Sequence, residues 1–158
     1  QSIGYLAKVI NTEITTRTDH AAEYFQKIFE MELSKKQTLN QPLCLIFGGE
    51  PTVLVTGKGL GGRNMDLTLR MVKVIASKPK VLFTSFATDG EDGPTDAAGA
   101  VADGFVYAEG RDKFCLNLDE YIKNSDSYHY FEKVGGLIKT GATGTNVNDI
   151  MLLMIAKD

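Results

Sequence analysis

The sequence is poor in the residues on which disulfide-stapled domains, metal centres and nucleophilic triads depend. It holds two cysteines and two histidines. Cys44 and Cys115 provide no disulfide framework and point to a reducing compartment, most simply the cytosol. Both are read as inert buried thiols. His20 and His129 fall on expected helices, without metal-ligand spacing or a neighbouring nucleophile, so no Ser-His-Asp or Cys-His arrangement is present. No apolar run approaches the roughly 20 residues of a membrane span. Gln1–Lys8 lacks the basic start and apolar stretch of a secretion signal. Positive charge is also scarce: 17 Lys and Arg against 20 Asp and Glu give a net charge of −3. Nothing in that balance suggests the electrostatic footprint of a nucleic-acid or acidic-membrane binder.

What the chain does have is bunched glycine. Its 16 glycines gather at 48–49, 57–62, 90–104 and 135–144. Such bunches mark backbone that turns sharply or approaches something closely. The 158 residues fit one domain, 1–158, able to bury roughly 70% of its unfolded surface without disulfides or metal. Gln1-Ser2-Ile3-Gly4 leads straight into an apolar stretch with no initiator Met, so a start inside a longer chain is expected.

Hydrophobic patterning predicts strands at Tyr5–Ile10, Leu43–Phe47, Thr52–Thr56, Val81–Phe86, Leu137–Thr140 and Ile150–Ala156. Helices are expected at Thr18–Lys36, Asn64–Ser77, Ala97–Ala102, Asp103–Lys113, Leu118–Lys123 and Ser127–Lys133. Thr18 is the expected cap of the first, whose apolar stripe is Ala21, Phe25, Ile28 and Phe29. The second carries Asp66, Arg70 and Lys73 on its solvent face, with an Asp66–Arg70 pair. Strands alternating with helices give an α/β layered domain with a mostly parallel or mixed sheet flanked by helices.

Four loops follow expected strands, where α/β sheets bind ligands. Gly48–Thr52 presents Glu50 beside two glycines; the plain alternative is a turn with a solvated Glu. Gly57–Asn64 could offer backbone N–H groups of Gly59, Gly61 and Gly62, and a helix N-terminus, to an anion, with Arg63 forking onto it. The plain alternative is a flexible connection. Gly57-x-Gly59-x-x-Gly62 also matches the dinucleotide fingerprint, without a clear acidic partner at the usual distance. Thr88–Gly99 packs Asp89, Glu91, Asp92 and Asp96 into eight residues, and Asp89, Asp92 and Asp96 are candidate Mg²⁺ ligands. Thr95 or Asp96 capping a following helix is the alternative. Thr140–Asp149 gathers hydroxyls, amides and backbone donors suited to a phosphate or sugar acid, or forms only a turn.

Taken together, four segments resemble the MOFRL family, the C-terminal domain of class II glycerate kinases. They are Gly48-Gly49-Glu50-Pro51-Thr52, the glycine loop ending in Arg63-Asn64, Thr88-Asp89-Gly90-x-Asp92-Gly93-Pro94-Thr95-Asp96-Ala97-Ala98-Gly99, and Thr143-Gly144-Thr145-Asn146-Val147-Asn148-Asp149. Asn124–Tyr128 also resembles the family's stretch before its aromatic helix. Met65-Asp66, where many relatives have Gln-Glu, departs from the pattern. So does Phe86-Ala87, where relatives often carry smaller residues.

The resemblance implies two α/β domains with an active site in the cleft between them, and phosphorylation of D-glycerate with ATP and Mg²⁺. It further implies a larger N-terminal domain, absent from this chain, that supplies a catalytic Lys. Catalytic positions carried over are Glu50, Arg63 and Asp89. Gly59, Gly61, Gly62, Asn64, Gly90, Thr145 and Asn146 are expected to bind substrate or phosphate. The chain alone is expected to be inactive. A cytoplasmic location is expected, or a mitochondrial one if the parent chain carries a leader. Two readings stay open beside it: an NAD(P)-dependent hydroxypyruvate reductase-like domain and a non-catalytic binding module.

Overall fold

The computed structural model describes residues 4–35 and 41–157. Six strands and five helices follow in the order β1 (Leu6–Ile14), α1 (Thr18–Ser34), β2 (Leu43–Gly49), α2 (Arg63–Val74), β3 (Val81–Ala87), β4 (Gly99–Asp103), α3 (Val106–Phe114), α4 (Leu118–Lys123), α5 (Ser127–Val134), β5 (Leu137–Ile138) and β6 (Asp149–Ile155). The strands form one mixed sheet, ordered β1-β2-β6-β3-β4-β5. Only β1 and β2 pair in parallel; the other four pairings are antiparallel. The α/β layered fold with a mixed sheet is therefore present, while a mostly parallel sheet is not. β6, the last strand in sequence, inserts antiparallel between β2 and β3.

The core lies between one face of this sheet and the helices. Phe25 of α1 stacks edge-on against Phe47 of β2 and Phe83 of β3, at 4.7 and 5.1 Å between ring centroids. Such pairs add to the large area an aromatic ring buries. Leu67, Leu69 and Met71 of α2, and Tyr130 and Phe131 of α5, complete it, each at most 1% exposed. Among the described residues, no helix is long and apolar enough to cross a membrane.

Several expectations need correction. Ala97–Ala102 is not a helix: Gly99–Asp103 pairs with β3 as a strand. A Cβ at Gly99 would stand 2.1 Å from the Ser85 carbonyl oxygen, so the small residue serves sheet pairing. Thr52–Thr56 is not a strand either. It makes a single bridge, Arg17 to Thr52, and leaves Leu54 and Val55 more than half exposed. β-branched composition there meets no partner strand, and propensity without pairing does not make a strand.

Thr18 does not cap α1. Arg17 holds the cap position, and the Thr18 hydroxyl instead donates to buried Asp66 at 2.5 Å. Asp66 is thus buried rather than on the solvent face, although its pair with Arg70 forms at 2.8 Å. The expected helix end at Lys36, and Gln1–Ile3, lie outside the described residues. Cys115 is exposed, at the left-handed end of α3, and Cys44 is half-buried, so the two thiols are not both buried.

Candidate functional site

The register of the sheet builds one polar edge. Asp149, the first residue of β6, pairs with Gly49 on one side and Ala87 on the other, the last residues of β2 and β3. The loops after β2 and β3 and the loop before β6 therefore meet around Asp149. The N-terminus of α2 arrives at the same place and brings Arg63.

Arg63 is held as a fork. Its Nε donates to Asp149 Oδ2 at 2.6 Å and its Nη2 to Asp149 Oδ1 at 3.0 Å. Glu50 Oε1 lies 3.3 Å from the same Nη2. Asp149 is 1% exposed, Arg63 partly buried, and Glu50 exposed. The bond to Asp149 raises the guanidinium pKa above its ordinary value, against the opposing effect of burial. A cation at a helix N-terminus is unfavourable by itself. Here the neighbouring carboxylates hold it with one edge of the guanidinium fork committed. Glu50 and Arg63, singled out separately from the sequence, are brought together. Asp149 was not singled out from the sequence; its signal was a carboxylate closing a Gly/Thr/Asn loop at the head of an apolar strand.

Asp92 is the anion at the N-terminus of α2. Its Oδ1 accepts from the Asn64 backbone N–H at 3.0 Å and from Asn64 Nδ2 at 3.2 Å; its Oδ2 accepts from the Met65 N–H at 2.8 Å. Burial pushes its pKa up to about 6 against these donors. A protein carboxylate thus occupies the place an anionic ligand would take at this helix end. Asn64 is fully buried, and its Oδ1 accepts from Ser85 Oγ at 2.5 Å. Neither Asn64 as a ligand contact nor Asp92 as a metal ligand fits this arrangement. Met65 is a core residue, so its side chain faces no ligand.

The glycine loop docks on protein. Gly59 N–H donates to the Asn124 carbonyl at 2.9 Å, Lys58 N–H to Asn124 Oδ1 at 3.2 Å and Leu60 N–H to Asp126 Oδ1 at 2.9 Å. A Cβ on Gly57, Gly59 or Gly61 would sit 2.1–2.3 Å from atoms of Asn124, Asp126 or Ser127. The glycines permit close approach to the Asn124–Ser127 turn. Gly59 is accordingly no phosphate contact, whereas Gly61 and Gly62 line the cavity beside Arg63. Without a strand before the loop, the dinucleotide fingerprint lacks the structural context it requires.

The third and fourth loops are stitched to each other. Thr143 Oγ1 donates to the Thr88 carbonyl at 2.5 Å, and Val147 N–H to Thr88 Oγ1 at 2.8 Å. Asn146 Nδ2 donates to Asp89 Oδ2 at 2.8 Å, and Glu91 N–H to Asp89 Oδ1 at 3.1 Å. Gly90 has φ +93°, and a Cβ there would meet the Gly141 carbonyl oxygen at 2.1 Å. Gly90 is thus a packing position between loops. Thr145 is exposed, with its carbonyl accepting from Thr143 Oγ1 at 3.2 Å.

Asp96 stands apart. It accepts from Tyr128 Oη at 2.8 Å and Lys139 Nζ at 2.9 Å, and these bonds lower its pKa. Asp89, Asp92 and Asp96 do not form one metal site, and among the described residues no group of three His, Cys, Asp or Glu side chains does. Thr95 closes a turn through Oγ1 to the Asp92 carbonyl at 2.9 Å and caps no helix. His20 is exposed, and His129 bonds Asp126 at 2.6 Å.

An open cavity of about 600 Å³ lies beside Arg63, between Glu50–Val53 and Val55 on one side and Gly61, Gly62, Gly93 and Pro94 on the other. It presents a guanidinium, a carboxylate and backbone against aliphatic walls. The pattern of the MOFRL family matches residues 43–149, which span β2, the glycine loop, the carboxylate loop and the head of β6.

The chain belongs to the MOFRL family.

Named relatives extend the match. A D-glycerate 2-kinase of Thermotoga maritima is 40% identical over 156 residues, covering 96% of this chain and 36% of the relative. A glycerate 2-kinase of Pyrococcus horikoshii is 37% identical, covering 98% and 35%. The crystal structure of a Thermotoga maritima glycerate kinase superposes with a TM-score of 0.89 at 39% identity, over 96% of this chain and 36% of that one. This MOFRL chain therefore spans about a third of the length of the relatives it matches.

Proposed function

We propose that residues 1–158 form one domain of a two-domain glycerate kinase and supply one wall of its active site. The parent enzyme transfers the γ-phosphoryl group of ATP to a hydroxyl of D-glycerate. The observation that carries this reading is Arg63, locked by Asp149 and Glu50 at the lip of an open cavity, in a chain whose relatives are glycerate kinases. Phosphoryl transfer is mainly positioning and charge stabilisation. A guanidinium fixed on one edge by a buried carboxylate keeps its other edge for an anion, the glycerate carboxylate or the transferring group. Glu50, exposed and 3.3 Å from Arg63, is placed to accept the proton of a substrate hydroxyl.

Mg²⁺ needs few protein ligands, one or two carboxylates plus phosphate oxygens. Asp89 fits that requirement: its oxygens each accept one N–H and retain acceptor capacity on a partly exposed loop. Bound there, Mg²⁺ would neutralise phosphate charge. Asn146 then orients the Asp89 carboxylate, and Gly61 and Gly62 give an anionic substrate close access to backbone. The second wall of the cleft belongs to the remaining two thirds of the parent chain. The location follows the parent, cytoplasmic or mitochondrial.

ADP release with D-glycerate and Mg·ATP, measured on this chain and on the longer parent, tests the reading. Turnover is expected in the parent alone, and Arg63→Ala in the parent is expected to lower kcat by about 10²–10³-fold. Near-normal turnover of that variant removes Arg63 from the chemistry. No turnover in either protein favours a binding module, whereas NADH fluorescence quenching on titration would favour the reductase.

A further inference from the structure

The core accounts for one face of the sheet only. The strand residues of the buried cluster, such as Leu45, Leu153 and Phe83, occupy alternate positions and all meet the helices. The intervening residues share the opposite face through the register. Val9 pairs with Ile46, Ile46 with Leu152 and Met154 with Leu82; Phe86 follows two residues beyond Thr84, the partner of Leu152. Ile46, Leu152, Met154, Leu82 and Phe86 are half-buried, whereas Val9 is 65% exposed. Among the described residues, the buried apolar side chains of all five helices join the cluster on the first face.

An antiparallel sheet with one wet face alternates apolar with polar residues. In β2, β6 and β3 the second face carries no charge and is apolar but for Thr84, whose buried hydroxyl donates to the Ala100 carbonyl at 2.9 Å. Asp103, at the end of β4, is the charge at its rim. This pattern is that of strands covered on both sides.

We propose that this face is a dimer interface, on which a second copy of the chain packs its own open face, sheet on sheet, about a twofold axis. A twofold contact requires a surface complementary to itself, and an apolar face with no charge on its three central strands meets that requirement while offering little to a charged partner. The five longer strands, β1 to β4 and β6, average about seven residues and lie about 4.8 Å apart, so they cover roughly 24 by 23 Å. Two such faces together bury on the order of 1,000 Å², the size at which specific interfaces begin. The rest of a longer chain has its place elsewhere. The exposed apolar residues Leu54, Val55 and Val147 lie on the loops of the polar edge, where a second domain closes over Arg63. That last argument rests on the glycerate kinase reading; the first two do not.

Sedimentation equilibrium on this chain tests the proposal. A mass twice that of the chain is expected at about 100 µM, since association follows mass action. Leu152→Lys and Ile46→Lys are each expected to give a monomer with an unchanged circular dichroism spectrum and a cooperative melt. A monomeric unsubstituted chain overturns the proposal and hands the face to another partner. A dimer that persists in both folded variants overturns it as well. Cys44, on the same face, gives a readout that needs no disruptive variant. In a Cys115→Ser chain its reaction with a thiol reagent is expected to be about tenfold slower at 100 µM than at 1 µM, and a rate independent of concentration overturns the interface. None of these outcomes depends on turnover, so they stand or fall apart from the kinase assignment.

Discussion

Asp92 shows how much a single buried carboxylate organises. It satisfies the first two backbone donors of α2 and the Asn64 amide, and Asn64 in turn fixes Ser85 of β3. Removing it leaves three buried donors without an acceptor, each worth about 1–3 kcal/mol. Asp92→Ala is therefore expected to lower the unfolding free energy at pH 7 by about 2 kcal/mol, measured by urea denaturation. The pH dependence has an unusual sign. Burial raises the Asp92 pKa in the folded protein to about 6, from the ordinary carboxylate value of 3.8. The native state then binds the proton more tightly than the unfolded chain, so a further, proton-linked stabilisation is fully present below about pH 3.8 and lost as pH rises through 6. The gap between parent and Asp92→Ala is expected to widen by about 2 kcal/mol on acidification from pH 7 to 4; a constant gap would show that Asp92 titrates normally. The sequence displayed Asp92 only as one of four crowded acids. Which of them turns inward depends on loop packing against α2, and spacing along the chain carries no trace of that. Glu50 and Arg63, by contrast, were legible because each follows a glycine turn.

The helices and central strands were largely readable because amphipathic spacing and apolar runs coincide with burial. Leu118–Lys123 has its expected bounds, and the strands from Leu43 and Val81 each run at most two residues further than expected. The failures at Thr52–Thr56 and Ala97–Ala102 have one cause: local propensity is overruled by which backbone finds a partner. The glycine loop belongs to the same lesson. Its spacing reads as a phosphate cradle, yet its N–H groups bind the Asn124–Asp126 turn. This gives an element-scale prediction. A Cβ at Gly59 would stand 2.3 Å from Asp126 Cβ and 2.6 Å from Asp126 Cα. Gly59→Ala should therefore push the loop off the turn and cost about 1–3 kcal/mol, as overpacking commonly does. Tm by differential scanning calorimetry checks it. An unchanged Tm would mean that the loop is not seated on this turn, and would restore its N–H groups as candidates for an anion.

At the scale of the molecule, the arrangement of charge decides what the chain can do alone. Around Arg63 stand Asp149, Glu50 and Asp92, three carboxylates against one guanidinium. An anionic substrate approaching this wall by itself meets a region with no net positive charge. On the proposed two-domain reading, binding needs further cations from across the cleft, in the part of the relatives' length that this chain does not span. A ligand stabilises a fold only in proportion to its affinity for the native state, by RT ln(1 + [L]/Kd). With about 10 mM D-glycerate, this chain is therefore expected to shift in Tm by less than about 1 °C, while the longer parent shifts by several degrees. Magnesium and a nucleotide analogue that cannot be hydrolysed should increase the shift in the parent only. An equal shift in both proteins would place the whole binding site within these 158 residues. The carboxylates around Arg63 would then have to rearrange on binding, with Glu50, the exposed one, as the group free to move.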